Sequence, residues 1–300
     1  MTPIEIPISS ILRSHAAWLA KPELGHQADL SGMTLNDSVL ANAILRKAIL
    51  LDTTLLDANL AGADLSGAKL ERSDLQRANL AGADLSGAEL ISTIFSGAWL
   101  QGANLSEISA GGVLFKQARL NEARMLEASL NDVSFYQALA ARASFHHSRF
   151  YDVDFSEAQL ENAIFYHARL QHARFFGVSA AGVSFGGSKV DHCDFSRGVL
   201  SGASFARAEL IQCLFRDADL RQCDFTDARM LGGDFGHALL DGARFGGASL
   251  KMTDFRGADM TGARELTSDQ LMQSVTDATT VLPNGKRGPF LRNSGAQRHR

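Results

Sequence analysis

The chain has 300 residues, 45% of them hydrophobic and 21% charged, with a formal net charge of −4. Nothing in that balance leads to an expectation of direct nucleic-acid binding, and three Cys in a chain of this size argue against a disulfide framework. Neither a basic-plus-apolar N-terminal signal segment nor a run of 18 apolar residues is present, so the expectation is a cytoplasmic protein with no membrane association, export by a signal-less route being left open.

Residues 1–27 read as an N-terminal capping segment. Ser9 and Ser10 are expected to cap a short helix over residues 11–19. Ile11, Leu12, His15, Trp18 and Leu19 share one face of it. Its expected task is to cover the first turn of a repeat array that begins at residue 28, because the end of such an array exposes apolar surface and unpaired strand edges. A functional His15–Trp18 pair is the other reading.

Residues 28–264 count in fives without interruption. From Leu30 to Met260, all 47 positions of the series are Leu, Phe, Met, Val or Ala. Two residues before each lies another small or apolar residue, usually Ala, as at Ala58, Ala63 and Ala68. A period of five fits neither regular element. On a helix, residues five apart are rotated by roughly 140°; on a strand they alternate between faces. A backbone that turns a corner every five residues can bury the whole series. The stretch Ala58–Ala68 reads ANLAGADLSGA, and Ala78–Ala88 repeats it, so one coil takes twenty residues and has four sides. From Phe145 to Phe255 the centres alternate Phe with mostly Leu, which predicts Phe on two opposite sides. The register predicts one long all-β solenoid domain, stabilised through nearest neighbours.

These residues carry a resemblance. Ala63-Asp64-Leu65-Ser66-Gly67 and Ala83-Asp84-Leu85-Ser86-Gly87 match the A-(D/N)-L-x-x motif, and the chain resembles the pentapeptide repeat proteins over about four fifths of its length. The resemblance implies a right-handed quadrilateral β-helix, here of about 12 coils stacked at ~4.8 Å, with short helical caps at both ends.

Departures from the repeat are where specificity is expected. Trp99 and Leu114 take outward positions. Tyr136, Tyr151, Tyr166 and Phe176 come after them, with Arg149, Arg169 and Arg174 among them. Aromatic plus Arg is the composition of protein-binding hot spots, so these nine residues are candidates for partner binding, with Tyr136, Tyr151, Tyr166 and Phe176 as an aromatic belt. His147 and His167 are twenty apart, as are His172 and His192. Each pair is expected to stack, as a surface ladder or, less in keeping with the missing further ligands, as a metal site. Cys193, Cys213 and Cys223 fill slots where Ala is usual and read as buried free thiols. No nucleophile–base pair and no phosphate-cradling loop stands out, so no enzymatic activity and no cofactor are expected.

Residues 265–282 leave the repeat. Thr267 and Gln270 form a capping-box pattern ahead of a short closing helix. Residues 283–300 carry Lys286, Arg287, Arg292, Arg298 and Arg300 and no acid, and read as a flexible basic tail. The function expected is a protein-interaction or scaffold module whose partner is a protein of unknown identity. The resemblance adds two possibilities: binding a type II topoisomerase as a duplex-DNA mimic, inhibiting it or protecting it from poisons, and a homodimer through the C-terminal end. Between Ala28 and Arg264 there are 28 acids and 22 bases, spread without one acid-rich side. A secreted effector is a further alternative.

Overall fold

The computed structural model describes residues 7–292. It divides into two compact units, residues 1–134 and 135–300. In a solenoid each turn touches only its neighbours, so compact units can separate anywhere along it. The division falls in the stretch where Ala110 and Ala140 replace large centres.

In the first unit the repeat is built from two kinds of backbone bond. The amide of Ala63 donates to the carbonyl of Leu60 at 3.0 Å, closing a turn through Ala61 and Gly62. Gly62 takes φ 66°. Leu60 N donates to Asn79 O at 2.7 Å, and Asn79 N donates to Ala58 O at 2.9 Å. Each residue thus pairs in parallel with the one twenty ahead, and four such turns separate the two. The same offset runs from the Asp29–Ile49 bridge to the Leu114–Ser134 bridge. Three sites lengthen into strands: β1 (Glu89–Ile91), β2 (Ser109–Gly111) and β3 (Ser129–Asn131), paired in that order. No strand among the described residues exceeds three residues, because the next corner ends it.

The corners need left-handed backbone, which costs a non-Gly residue roughly 1–2 kcal/mol. Many are not Gly: Asp57 lies at φ 55° and Arg77 at 56°. The turn and the vertical bond from Asp57 N to Gln76 O at 3.1 Å offset that cost. The Asp before a centre braces the turn too. Asp64 Oδ1 accepts from the amide of Ser66 at 3.1 Å and from its hydroxyl at 2.6 Å. These local bonds explain the polar letters of the motif.

The second unit continues with β4 (Arg149–Tyr151), β5 (Arg169–Gln171), β6 (Lys189–Asp191), β7 (Glu209–Ile211) and β8 (Arg229–Leu231), parallel and in sequential order. Its core is two columns of rings. Phe155, Phe175, Phe195 and Phe215 stack with centroids 4.6–4.9 Å apart. Phe165, Phe185, Phe205 and Phe225 stack at 4.8–5.2 Å. Between columns the rings meet edge to face, as Phe155 and Phe165 do at 5.6 Å and 87°. Both arrangements suit the ring quadrupole, at about 0.5–1.5 kcal/mol per pair beyond area burial.

The slot two residues before a centre also admits small polar groups where a carbonyl is in reach. Thr53 Oγ1 donates to Leu30 O at 2.9 Å, and Thr253 Oγ1 to Met230 O at 3.0 Å. Cys213 and Cys223 use the same geometry: their thiols lie 3.3 Å from Val190 O and 3.1 Å from Leu200 O.

Both ends carry helices. α1 spans Ile8–Ala20 and begins directly after Pro7, the N-cap, whose ψ of 134° leaves it outside the helix while its carbonyl accepts from Ser10 N at 2.8 Å. Ser9 and Ser10 therefore lie inside the first turn, and neither caps it, contrary to expectation. The buried face presents His15, stacked on Trp18 at 5.6 Å. α2 spans Ser268–Met272, with Thr267 and Gln270 forming the reciprocal capping box. Gln270 Nε2 also donates to Phe245 O and Ala248 O, both at 2.8 Å; within the repeat a carbonyl placed like that of Ala248 accepts from the next coil, as Ala58 O does from Asn79 N. The expected flexible tail does not begin at 283. Val281 bridges Arg287 in antiparallel fashion, Phe290 is buried and Arg292 pairs with Asp269 at 3.1 Å. Phe290 supplies the apolar anchor that a purely polar tail would lack. Arg298 and Arg300 lie outside the described residues.

Candidate functional site

The offset of twenty decides which outward residues share a side. Tyr136, Tyr151 and Tyr166 are spaced by fifteen, or three corners, so each lies on a different side of the second unit. The expected single belt is therefore split. Tyr136 and Phe176, forty apart, share the side whose centres include Phe155 and Phe175. Arg149, Tyr151 and Arg169 lie on the β4–β8 side. Tyr166 lies on the side centred by Phe165. Trp99 and Leu114 belong to the first unit and are also fifteen apart.

The neighbours of these residues are specific. Trp99 is 47% exposed, with the Arg119 guanidinium 5.0 Å from its ring centroid. Leu114 is half-buried, with bridges to Ile94 and Ser134. Tyr136 donates its hydroxyl to Glu157 at 3.1 Å, and that carboxylate raises the phenol pKa. Phe176 is 39% exposed and carries Arg197 over its ring at 5.5 Å. Arg174 reaches Asp154 at 4.0 Å. Tyr151 meets His172 edge-on at 5.8 Å.

The histidines stack as their spacing predicted. His147 and His167 are 5.4 Å apart at 22°, and His172 and His192 are 5.4 Å apart at 41°. One nitrogen of each pair is engaged elsewhere: His167 Nδ1 lies 3.1 Å from Gly187 O, and His192 Nδ1 lies 2.7 Å from Asp191 Oδ1. His146 has its pKa lowered by burial, then by His147 and His167. Among the described residues no three His, Cys, Asp or Glu converge on a point where a metal ion could sit. The three cysteines are buried and unpaired to one another. Burial pushes the Cys213 thiol to about 12 and those of Cys193 and Cys223 upward as well.

A groove of about 650 Å³ went unread in the sequence. It runs along the Tyr166 side, over Ser184, Gly186, Ser204 and Ala206, towards Asp224 and Arg244. Two columns of small residues at offset twenty make it, and that spacing was the available signal. At its head the rings of Tyr166 and His167 lie on Gly186 and Gly187. A Cβ at Gly186 would stand 3.2 Å from Tyr166 Cδ2, and one at Gly187 only 2.7 Å from His167 Cε1.

Five-residue corners, parallel pairing at twenty and a ladder of apolar centres define a parallel β-solenoid of short repeats. The profile described as Pentapeptide repeats matches in 8 copies between residues 26 and 264. The chain belongs to the pentapeptide repeat family. No curated protein matches it. Among solved structures it is similar to HetL, a pentapeptide repeat protein involved in heterocyst differentiation regulation in the cyanobacterium Nostoc sp. strain PCC 7120. That match has 22% identity and a TM-score of 0.32, covering 94% of this chain and 100% of that one. It is also similar to QnrB1, a plasmid-mediated fluoroquinolone resistance protein, at 23% identity and a TM-score of 0.39 over 51% of this chain and 79% of that one. A pentapeptide repeat protein of the Arabidopsis thaliana thylakoid lumen matches at 26% identity and a TM-score of 0.26, over 40% and 68%. No helix among the described residues is long and apolar enough to cross a membrane.

Proposed function

We propose that the protein is a non-enzymatic interaction scaffold, a right-handed four-sided coil of about 12 turns at twenty residues each. It binds a protein through the outward side chains of its sides. The observation that carries this reading is the exposure of large aromatic groups on the sides of the second unit. Tyr151 is 47% exposed, Tyr166 42% and Phe176 39%. Such groups are costly to leave in water and are the commonest anchors of protein interfaces. With the belt divided among sides, a single flat partner meets one side, and the three aromatics contribute separately. A cytoplasmic setting accompanies this reading.

Charge does not favour a type II topoisomerase as that partner. Acids along the sides are matched by nearby Arg, as in Arg216–Asp234 and Arg256–Asp254, both 2.5 Å, so no side offers the continuous negative stripe of duplex DNA.

The test is capture of partners with the native protein, followed by separate Tyr151→Ser, Tyr166→Ser and Phe176→Ser variants that keep the wild-type melting temperature. Loss of the same bound protein in one or two of the three supports the scaffold reading. Unchanged capture in all three removes it. A supercoiling assay with gyrase, with and without a quinolone, tests the topoisomerase alternative, and no effect at micromolar protein is expected.

A further inference from the structure

The side formed by β4–β8 carries an arrangement that the rest of the described chain does not repeat. Arg149, Arg169 and Lys189 are direct partners in the parallel register. Their backbones are therefore about 4.8 Å apart at each step. Like charges set directly opposite are destabilising; where Lys69 faces Glu89 the signs are opposite and the two meet at 3.6 Å. Here the run ends only at Glu209, which meets Lys189 at 3.7 Å and Arg229 at 3.2 Å. Among the described residues neither Arg149 nor Arg169 has a carboxylate within ion-pair distance, and both are exposed. On the flanking corner, the stacked His147 and His167 add no negative charge. Across the strand stand Tyr151, Gln171 and Asp191, the last engaged with His192 at 2.7 Å; exposed Asp152 adjoins Tyr151 at the opposite corner.

We propose that Arg149, Arg169 and Lys189 form a docking strip for an acidic protein segment, a helix carrying carboxylates at three- and four-residue spacing. This rests on the scaffold reading above and names its partner's chemistry. The spacing fits: carboxylates three or four residues apart on a helix advance about 4.5–6 Å along its axis. That is close to the rise between successive cations. Two guanidinium forks and one ammonium then face three carboxylates, the pairing Arg geometry favours. Lys189 already meets Glu209, and the cost of stacking Arg149 on Arg169 is offset when the anions arrive.

Two observations disfavour single-stranded nucleic acid as the occupant. Its bases need open aromatic faces, whereas Tyr166 lies on Gly186 and His167 and Tyr151 is edge-on to His172. The remaining charge of the chain is net negative, which repels a long polyphosphate.

The experiment is fluorescence anisotropy of the full-length protein with a labelled Ala-based helical peptide carrying Glu at i, i+4 and i+7. A Gln counterpart and a labelled oligo-dT are the controls. Expected are saturable binding of the Glu peptide that weakens with salt, at least about tenfold weaker binding by the Arg149→Ala/Arg169→Ala protein, and no binding of the Gln peptide. Circular dichroism melts confirm that the variant is folded, as exposed side chains allow. An Arg149→Lys/Arg169→Lys protein, which keeps the charge, should retain most of the affinity. Equal binding of the Glu and Gln peptides, equal binding by the Ala variant, or tighter binding of oligo-dT overturns the proposal. Failure here with partner capture still sensitive to the aromatic variants sinks the acidic partner alone. Failure of both sinks the scaffold reading.

Discussion

The amide of Ala28 donates to Nδ1 of His15 at 3.0 Å, both groups fully buried. Within the repeat that amide would find a carbonyl three residues back, as Ala48 does with Leu45 at 2.9 Å. At the first turn, an imidazole from α1 takes the place of that carbonyl. Nδ1 must be unprotonated to accept, so the proton of the neutral ring sits on Nε2.

His15 therefore makes the first turn sensitive to acid. Burial lowers its pKa below 6.5, so the folded state favours the neutral ring. The stabilisation is complete above 6.5 and is lost as pH falls through the lower folded value. Amide exchange corrected for its intrinsic rate should show protection of Ala28 falling over that window. A His15→Ala protein should lack the pH dependence and be about 2–3 kcal/mol less stable to denaturant, through the unsatisfied amide and the void.

Gln270 does the corresponding work at the other end. Its amide bonds to Phe245 O and Ala248 O, so Gln270→Ala removes two hydrogen bonds and half of the capping box. A loss of about 1–2 kcal/mol is expected. Exchange should rise first near Phe245–Ala258, with the first unit unaffected, because coupling in a solenoid passes only between neighbours.

Truncating one ring tests the columns. Phe195 stacks on Phe175 at 4.6 Å and Phe215 at 4.9 Å, and meets Phe185 and Phe205 edge-on. Phe195→Ala should cost about 3–5 kcal/mol. Phe195→Leu, keeping most of the volume, should cost less than half of that in a chemical denaturation series.

The cysteines should be silent in the native protein. With Cys213 raised to about 12 and all three thiols buried, a thiol reagent at pH 8 should label none within minutes. It should label three per chain in denaturant. Rapid native labelling of Cys193 or Cys213 would mean that their side of the coil opens.

The sequence carried the interior almost completely, because burial forces every fifth residue to be apolar and the stacking of Phe on Phe comes from an offset of twenty. It carried the exterior less well. Tyr136, Tyr151 and Tyr166 looked like neighbours because they are near in sequence, yet a step of fifteen moves a residue three corners round. The pairing of Tyr136 with Glu157, twenty-one ahead, comes from the vertical register. The groove beside Tyr166 was missed because small residues such as Ser184 and Ser204 read as repeat letters. The start of α1 at Ile8 is hard to read because no side-chain cap marks it; the Pro7 carbonyl takes the first helical amide.

The vertical pairing at twenty has a consequence for how such a chain changes length. Removing five residues within either unit would keep every centre apolar, yet rotate all later outward residues by a quarter-turn and pair each with a stranger. Removing twenty would return every side chain to its own face one storey lower. The eleven letters shared by Ala58–Ala68 and Ala78–Ala88 are the trace that insertion of one whole storey would leave. Growth and loss by storeys preserve surface patterns such as the Arg149–Lys189 column; growth by single corners scrambles them.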